Sequence, residues 1–153
     1  MIKNVKKILC PIDFSEFSLQ AMRGAWEIAK DVGAELHLLH VVAPQRNFIP
    51  LLLTQDIESA REMAREAAML QQADQELARI KKDQLENSAK VTTGATAGPP
   101  VVKIIEYAEQ TGIDLIVIST HGRTGFNRML IGSVAEKLAR SSPCSVLVLR
   151  AQA

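Results

Sequence analysis

The 153-residue sequence predicts a single α/β domain, residues 1–153, built on an open, doubly wound sheet of five parallel strands with helices on both faces. Short β-branched runs alternate with longer segments of helical periodicity, which is typical of βαβ units. Hydrophobic residues make up 47% of the chain and aromatic residues only 4%. Such a composition favours a core of Val, Ile, Leu and Ala between a sheet and its covering helices. The length leaves room for one domain of ordinary size.

The first strand is predicted from Lys7 to Ile12, and the turn Asp13-Phe14-Ser15 leads from it into a helix. Ser15 is a typical N-cap residue, and Gly33 is a typical end for this helix. The apolar positions between them recur at helical spacing, at Leu19, Met22, Trp26, Ala29 and Val32. For Asp13 two roles remain open, because an aspartate after a strand can cap the turn or serve a binding site.

The second strand is predicted from Leu36 to Val42, and a loop follows from Ala43 to Thr54. The loop carries the apolar run Phe48 to Leu53. Loops of about a dozen residues are commonly functional, so a lid, a subunit contact and a simple tether all remain open. One long amphipathic helix is then predicted from Gln55 to about Asn87.

The second half of the chain predicts three more strands. Val91 to Ala95 is the third, and the helix after it begins at Gly98-Pro99-Pro100 and ends near Gly112. Asp114 to Ser119 is the fourth strand; it is apolar without alternation, so we expect it inside the sheet with both faces covered. The fifth, Cys144 to Leu149, is expected at an edge, where its backbone invites pairing with a second subunit.

Charge and composition exclude several classes of partner. Eighteen Lys and Arg balance seventeen Asp and Glu without forming a basic stripe, so no nucleic-acid partner is expected. No apolar run approaches the roughly 18 residues that span a bilayer, and no signal-like start is present, so we expect a cytoplasmic protein without a membrane partner. Cys10 and Cys144 are predicted to be free thiols. His37 and His40 lie on opposite faces of a strand, which argues against a shared metal.

The candidate site follows the fourth strand. It contains Ser119-Thr120-His121-Gly122-Arg123-Thr124-Gly125, and then Gly132-Ser133-Val134 at the start of a helix. A polyanion requires close backbone approach, which glycine permits, and free N–H groups, which a helix N-terminus supplies. Ser133 and Glu136 also match a capping box, which would satisfy the helix end without a ligand. The position beyond an interior strand favours a ligand crevice.

This segment resembles the universal stress protein signature, G-x-x-G followed by nine residues and G-[S/T], which Gly122 and Gly132-Ser133 match. Residues 8–15 (ILCPIDFS) and 143–149 (PCSVLVL) are similar to the first and last strands of that family. The resemblance implies the strand order 3-2-1-4-5, a homodimer joined through the last strand, and ATP as ligand. Carried over residue by residue, it implies nucleotide contacts at Asp13, Val41, Gly122, Arg123, Gly132, Ser133 and Val134. The predicted nucleotide site also includes Pro11, Ser119 and His121.

Two departures affect the predicted chemistry. Ser119 stands where the signature has its first glycine, and two consequences remain open: a backbone conformation open to glycine is strained or unavailable here, or the serine hydroxyl donates to a phosphate or ribose oxygen. No P-loop lysine is present, so Mg²⁺ is expected to help neutralise a triphosphate. The leading hypothesis is a dimeric, ATP-dependent stress-response module that acts on an unidentified protein partner. The alternatives are a nucleotide-free dimeric interaction protein and a slow ATPase, for which only His121 and Ser133 are in place.

Overall fold

The computed structural model describes residues 4–44, 55–121 and 131–150. The elements in chain order are β1 (Lys7–Pro11), α1 (Glu16–Val32), β2 (Glu35–Val42), α2 (Gln55–Gln84), β3 (Val91–Ala97), α3 (Pro100–Thr111), β4 (Leu115–Ser119), α4 (Ser133–Ser141) and β5 (Ser145–Leu149). The strands form one parallel sheet in the order β3-β2-β1-β4-β5. The predicted fold class and strand order are therefore confirmed.

Both ends of α1 follow from local chemistry. Ser15 caps the start of the helix, because its hydroxyl accepts a hydrogen bond from the amide of Ser18 over 3.2 Å. Gly33 takes a left-handed conformation with φ of 73° at the other end. A glycine adopts that conformation without a steric penalty, so the helix ends there as predicted.

Two element boundaries differ from the prediction by more than one residue. β3 continues to Ala97 rather than Ala95, because its full length pairs in register with β2, from Leu36 opposite Val91 to Val42 opposite Ala97. The helix α2 ends at Gln84 rather than near Asn87. Glu86 and Asn87 have positive φ angles of 57° and 47°, which a right-handed helix cannot contain.

The helices cover the two faces of the sheet in pairs. α1 and α2 pack on one face, through residues that include Met22, Trp26, Leu77 and Ile80. α3 and α4 pack on the other face, through residues that include Ile104, Ala108, Ala135 and Leu138. All five residues of β4 are buried, which confirms that it is an interior strand covered on both faces. β5 lies at one edge of the sheet and is only half-buried, as its position predicts.

The strand order determines where a ligand can enter. The chain leaves β1 toward β2 on one side and later returns to β4 on the other side, so the order reverses between these neighbouring strands. Open α/β sheets form their ligand crevice at such a point, beyond the carboxyl ends of the strands. Of the loop predicted from Ala43 to Thr54, only Ala43 and Pro44 belong to the described residues. No helix in the described ranges is long and apolar enough to cross a bilayer.

Candidate functional site

A cavity of about 580 Å³ lies at the carboxyl ends of β1, β2 and β4 and at the start of α4. This volume falls within the range of small-molecule and cofactor sites. Eight of the ten residues predicted from the sequence line it: Pro11, Asp13, Val41, Ser119, His121, Gly132, Ser133 and Val134. The other two, Gly122 and Arg123, lie outside the described residues. The structure thus brings the predicted residues together, while their part in binding stays a prediction.

Asp13 fills the capping role that the sequence left open and also lines the cavity. Its Oδ1 accepts hydrogen bonds from the amide of Ser15 over 2.9 Å and from the Ser15 hydroxyl. The amide of Asp13 donates to the hydroxyl of Ser18 over 3.4 Å. The two alternatives are compatible, because the same bonds that shape the turn hold the carboxylate at the cavity wall.

His40 is held against the same turn. Its Nδ1 lies 2.7 Å from the carbonyl oxygen of Ile12, and its ring centroid lies 4.6 Å from that of Phe14. Phe14 has a φ of 63°, which is uncommon for an aromatic residue and is typical of strained segments near functional sites. His40 lines the cavity. His40 was weighed from the sequence only as a metal ligand, so its place in the site was not predicted.

The end of β4 forms a short polar network. The buried hydroxyl of Ser119 accepts a hydrogen bond from the amide of His121 over 3.3 Å. His121 Nδ1 lies 2.7 Å from the Thr120 hydroxyl, and its ring packs beside Phe17 with centroids 5.7 Å apart. The φ angle of Ser119 is not positive, so its backbone conformation is open to any residue. A serine therefore replaces the glycine of the signature here without backbone strain.

The structure at the start of α4 excludes the capping box that the sequence left open. The N-cap is Gly132, and Ser133 is the first helical residue, so Ser133 and Glu136 do not form a capping box. Among the described residues no side chain caps this helix, and Glu136 pairs instead with Arg140 over 2.9 Å. The cap lies at Gly132 because its carbonyl accepts the first helical bond, from the amide of Glu136. The amides of Ser133, Val134 and Ala135 have no carbonyl partner within the helix, and these residues line the cavity.

The charge of the cavity is set by few groups. Among its described lining residues Asp13 is the one carboxylate, and no Lys or Arg is present. No three His, Cys, Asp or Glu side chains come together as metal ligands in the described ranges. Positive potential on this part of the wall therefore comes from the N-terminus of α4, where the helix dipole places roughly half a positive charge.

The rest of the lining is largely apolar and was not predicted. It comes from three helices as well as from the strands, and its members include Leu39, Met69, Pro100, Ile104, Ile118 and Ala135. These residues belong to the regular apolar pattern of their elements, so only the folded arrangement shows that they border a cavity. A flat, apolar chemical group suits this part of the wall.

The whole described chain also matches known proteins. The model of the universal stress protein family matches residues 4–150. The chain belongs to the universal stress protein family. Universal stress protein MJ0531 of Methanocaldococcus jannaschii is 37% identical over 145 residues, which cover 95% of this chain and 82% of that protein. This membership agrees with the resemblance that the glycine-rich segment carries.

Solved universal stress proteins share the fold. The structure of protein MJ0577, which is the universal stress protein of that name from Methanocaldococcus jannaschii, has a TM-score of 0.79 and 29% identity, over 97% of this chain and 98% of that one. A universal stress protein solved in complex with cAMP has a TM-score of 0.60 and 24% identity, over 96% and 98% of the two chains. The second likeness bears on the fold alone.

Proposed function

We propose that this universal stress protein binds ATP in the cavity and acts as a nucleotide-dependent stress-response module. The observation that carries the proposal is the start of α4, where Gly132, Ser133 and Val134 line the cavity and no described side chain caps the helix. A helix end that lacks a capping side chain and faces a cavity is suited to an anion.

The triphosphate would lie against the start of α4. The amides of the first helical turn supply hydrogen-bond donors, and the dipole of the nine-residue helix favours negative charge. The described lining contains no Lys or Arg, so a cation besides the predicted Arg123 would help to neutralise the phosphates. Mg²⁺ fits this need, since it binds through phosphate oxygens and water and does not depend on a cage of protein carboxylates.

The nucleoside would occupy the remainder of the cavity. The apolar wall that contains Leu39, Val41 and Ile104 suits the adenine ring, and the carboxylate of Asp13 suits a hydroxyl or amino donor. A site with an anion-binding end and an apolar end matches the two halves of a nucleotide. This division supports a nucleotide over inorganic phosphate as the ligand.

A homodimer joined through β5 completes the proposed module. In the described sheet β5 pairs with β4 alone, so its outer edge offers unpaired backbone groups to a second copy. Val146, Leu147, Val148 and Leu149 are only half-buried in the single chain. Sedimentation equilibrium should give twice the chain mass, and a monomer at high micromolar concentration would contradict this pairing.

The nucleotide site is tested by removing one amide donor without changing the fold. In Ser133→Pro the N–H at the first helical position is lost, and this is the position where a helix tolerates proline. Gly132 has φ of −59° and ψ of 151°, a conformation that a residue before proline readily adopts. The control is Ser133→Ala, which removes the hydroxyl and keeps the amide.

Titration calorimetry with ATP and Mg²⁺ should show binding by the wild type and by Ser133→Ala. A hydrogen bond to a charged group contributes about 1.5–3 kcal/mol, so Ser133→Pro should bind ten- to about a hundredfold more weakly than Ser133→Ala. Equal affinity of the two variants would place the phosphates elsewhere. No binding by the wild type would favour a nucleotide-free interaction protein, and sustained phosphate release would favour the slow ATPase.

A further inference from the structure

The ring of His40 is held by the two neighbours of Asp13 in sequence. Ile12 contacts it through its carbonyl oxygen, 2.7 Å from Nδ1, and Phe14 contacts it through its ring. The side chain is half-buried and the residue lines the cavity. His40 is therefore part of the same wall as the Asp13 carboxylate, although it comes from a different strand.

The partner of Nδ1 determines the chemistry of the other ring nitrogen. A carbonyl oxygen only accepts hydrogen bonds, so Nδ1 must carry the proton that it donates to Ile12. In the neutral ring Nε2 then has a lone pair and no hydrogen, and it acts as an acceptor. Across the described ranges His37 Nε2 is the buried side-chain nitrogen without a hydrogen-bond partner. His40 Nε2 makes no described hydrogen bond either, but it belongs to a half-buried ring that a ligand can reach.

We propose that His40 is a specificity-determining residue, whose Nε2 accepts a hydrogen bond from a ribose hydroxyl of the bound nucleotide. This inference rests on the proposed function. The phosphates are assigned to the start of α4 and the base to the apolar wall, which leaves the polar atoms beside Asp13 for the sugar between them. An acceptor at that point favours ribonucleotides over deoxyribonucleotides, because the deoxy ligand leaves Nε2 without a donor.

The contact with Phe14 gives the ring a fixed orientation. A histidine ring can rotate about its terminal torsion, and an acceptor that rotates away from the ligand contributes little selectivity. Here the carbonyl of Ile12 holds one edge of the ring, and the Phe14 ring lies against it at an interplanar angle of 36°. Two contacts of different kinds thus hold Nε2 in place before the ligand binds, which lowers the entropy cost of recognition.

Two substitutions separate the acceptor from the structural contact. In His40→Asn the side-chain amide nitrogen takes the place of Nδ1, so it can still donate to Ile12, while the acceptor at Nε2 is lost. In His40→Gln the longer side chain reaches the place of Nε2 and can present its carbonyl oxygen there. The readout is the ratio of the dissociation constants of 2′-deoxy-ATP and 3′-deoxy-ATP to that of ATP, measured by calorimetry with Mg²⁺ for all three proteins.

The wild type should bind ATP about three- to tenfold more tightly than one of the deoxy ligands, as expected for one neutral hydrogen bond. His40→Asn should bring that ratio to about one, and His40→Gln should restore part of it. A wild type that binds ATP and both deoxy ligands equally would overturn the role of His40 and leave the proposed function intact. A ratio unchanged in His40→Asn would also overturn it. A wild type that binds none of the three would reject the nucleotide site itself.

Discussion

The amide of Gly132 donates to the carbonyl oxygen of Thr120 over 2.6 Å, which ties the start of α4 to the end of β4. A Cβ atom at Gly132 would lie 3.1 Å from that same oxygen, closer than ordinary van der Waals contact. The backbone conformation is open to any residue, with φ of −59°. Glycine is therefore favoured here by the close approach of two backbones and not by a left-handed conformation.

Gly132→Ala should separate α4 from β4 by a few tenths of an ångström. We expect a loss of about 1–3 kcal/mol in the free energy of unfolding, as for other overpacked sites. We also expect weaker ATP binding, because the amides of the helix move with it. Urea unfolding and calorimetry measure the two effects. The control is Gly94→Ala, whose Cβ would meet nothing within 4 Å, so its stability should match the wild type within about 0.5 kcal/mol.

The two cysteines should differ sharply in reactivity. Burial raises the pKa of the Cys10 thiol to about 12, so at pH 8 only about one molecule in ten thousand carries the reactive thiolate. Cys144 is half-buried and precedes the edge strand β5. Alkylation of the native protein followed by mass spectrometry should label Cys144 first, and Cys10 only after unfolding. Equal labelling of both thiols under native conditions would contradict the burial of β1.

Much of the fold was predictable because each element is encoded locally. Ser15 and Gly33 predicted both ends of α1, and the unbroken apolar run of β4 predicted an interior strand. The end of α2 was predicted about three residues too late, because Asn87 is a residue that tolerates a positive φ, whereas nothing in the sequence marks the positive φ of Glu86. Helix propensity is a weak guide at such a boundary.

The residues of the candidate site were likewise predictable only in part. Residues near the glycine-rich segment, such as Gly132 and Ser133, were predicted from the signature and the position after β4. His40, Met69 and Pro100 were missed, because their place in the cavity depends on which elements meet in space. For His40 one signal was present: a polar residue near the carboxyl end of a predicted buried strand. This signal is enough to place His40 among the predicted site residues when the side chain is considered for ligand binding and not only for metal binding.

The pH dependence of stability should contain a contribution from His37. Its ring is buried; Nδ1 lies 2.8 Å from the Tyr107 hydroxyl, and Nε2 lies 3.6 Å from a Glu35 carboxylate oxygen. Burial lowers the pKa of His37, an effect that Glu35 opposes and Lys7 reinforces. The unfolded chain therefore binds a proton at a higher pH than the folded one. The contribution of His37 to the free energy of unfolding is fully present above about pH 6.5, the pKa of an unfolded histidine. It is lost as the pH falls toward the lower pKa of His37 in the folded protein.

His37→Asn removes the titrating group and keeps an acceptor for the Tyr107 hydroxyl. The free energy of unfolding of the wild type should fall between pH 7.5 and pH 5.5, and the fall should be smaller in the variant. Urea unfolding at both pH values measures the difference between the two proteins. An identical fall in wild type and variant would show that His37 is protonated as easily in the folded as in the unfolded chain.

The later turns of the long helix α2 should be more stable against local unfolding than its earlier turns. Its later turns bury Ala73, Leu77 and Ile80 against the sheet, whereas Ile57 and Met63 are 66% and 73% exposed. Residues 59–68 are all exposed, so nothing in the described structure holds these turns except their continuity with the packed half. Leu77→Ala should lower the free energy of unfolding by about 2–5 kcal/mol, because it leaves a cavity in the core. Met63→Ala should change it by less than about 0.5 kcal/mol.

Hydrogen exchange supplies the second measurement for the same helix. An isolated helix of about twelve residues is marginal in water, so the amides of residues 59–68 should exchange through local fraying. The amides of residues 73–80 should exchange at least about tenfold more slowly, because their opening requires the loss of core contacts. Equal protection along the helix, or a large destabilisation by Met63→Ala, would mean that the exposed turns pack against something in solution. The most direct candidate would then be a second copy of the chain, which a dependence of the exchange rates on protein concentration would reveal.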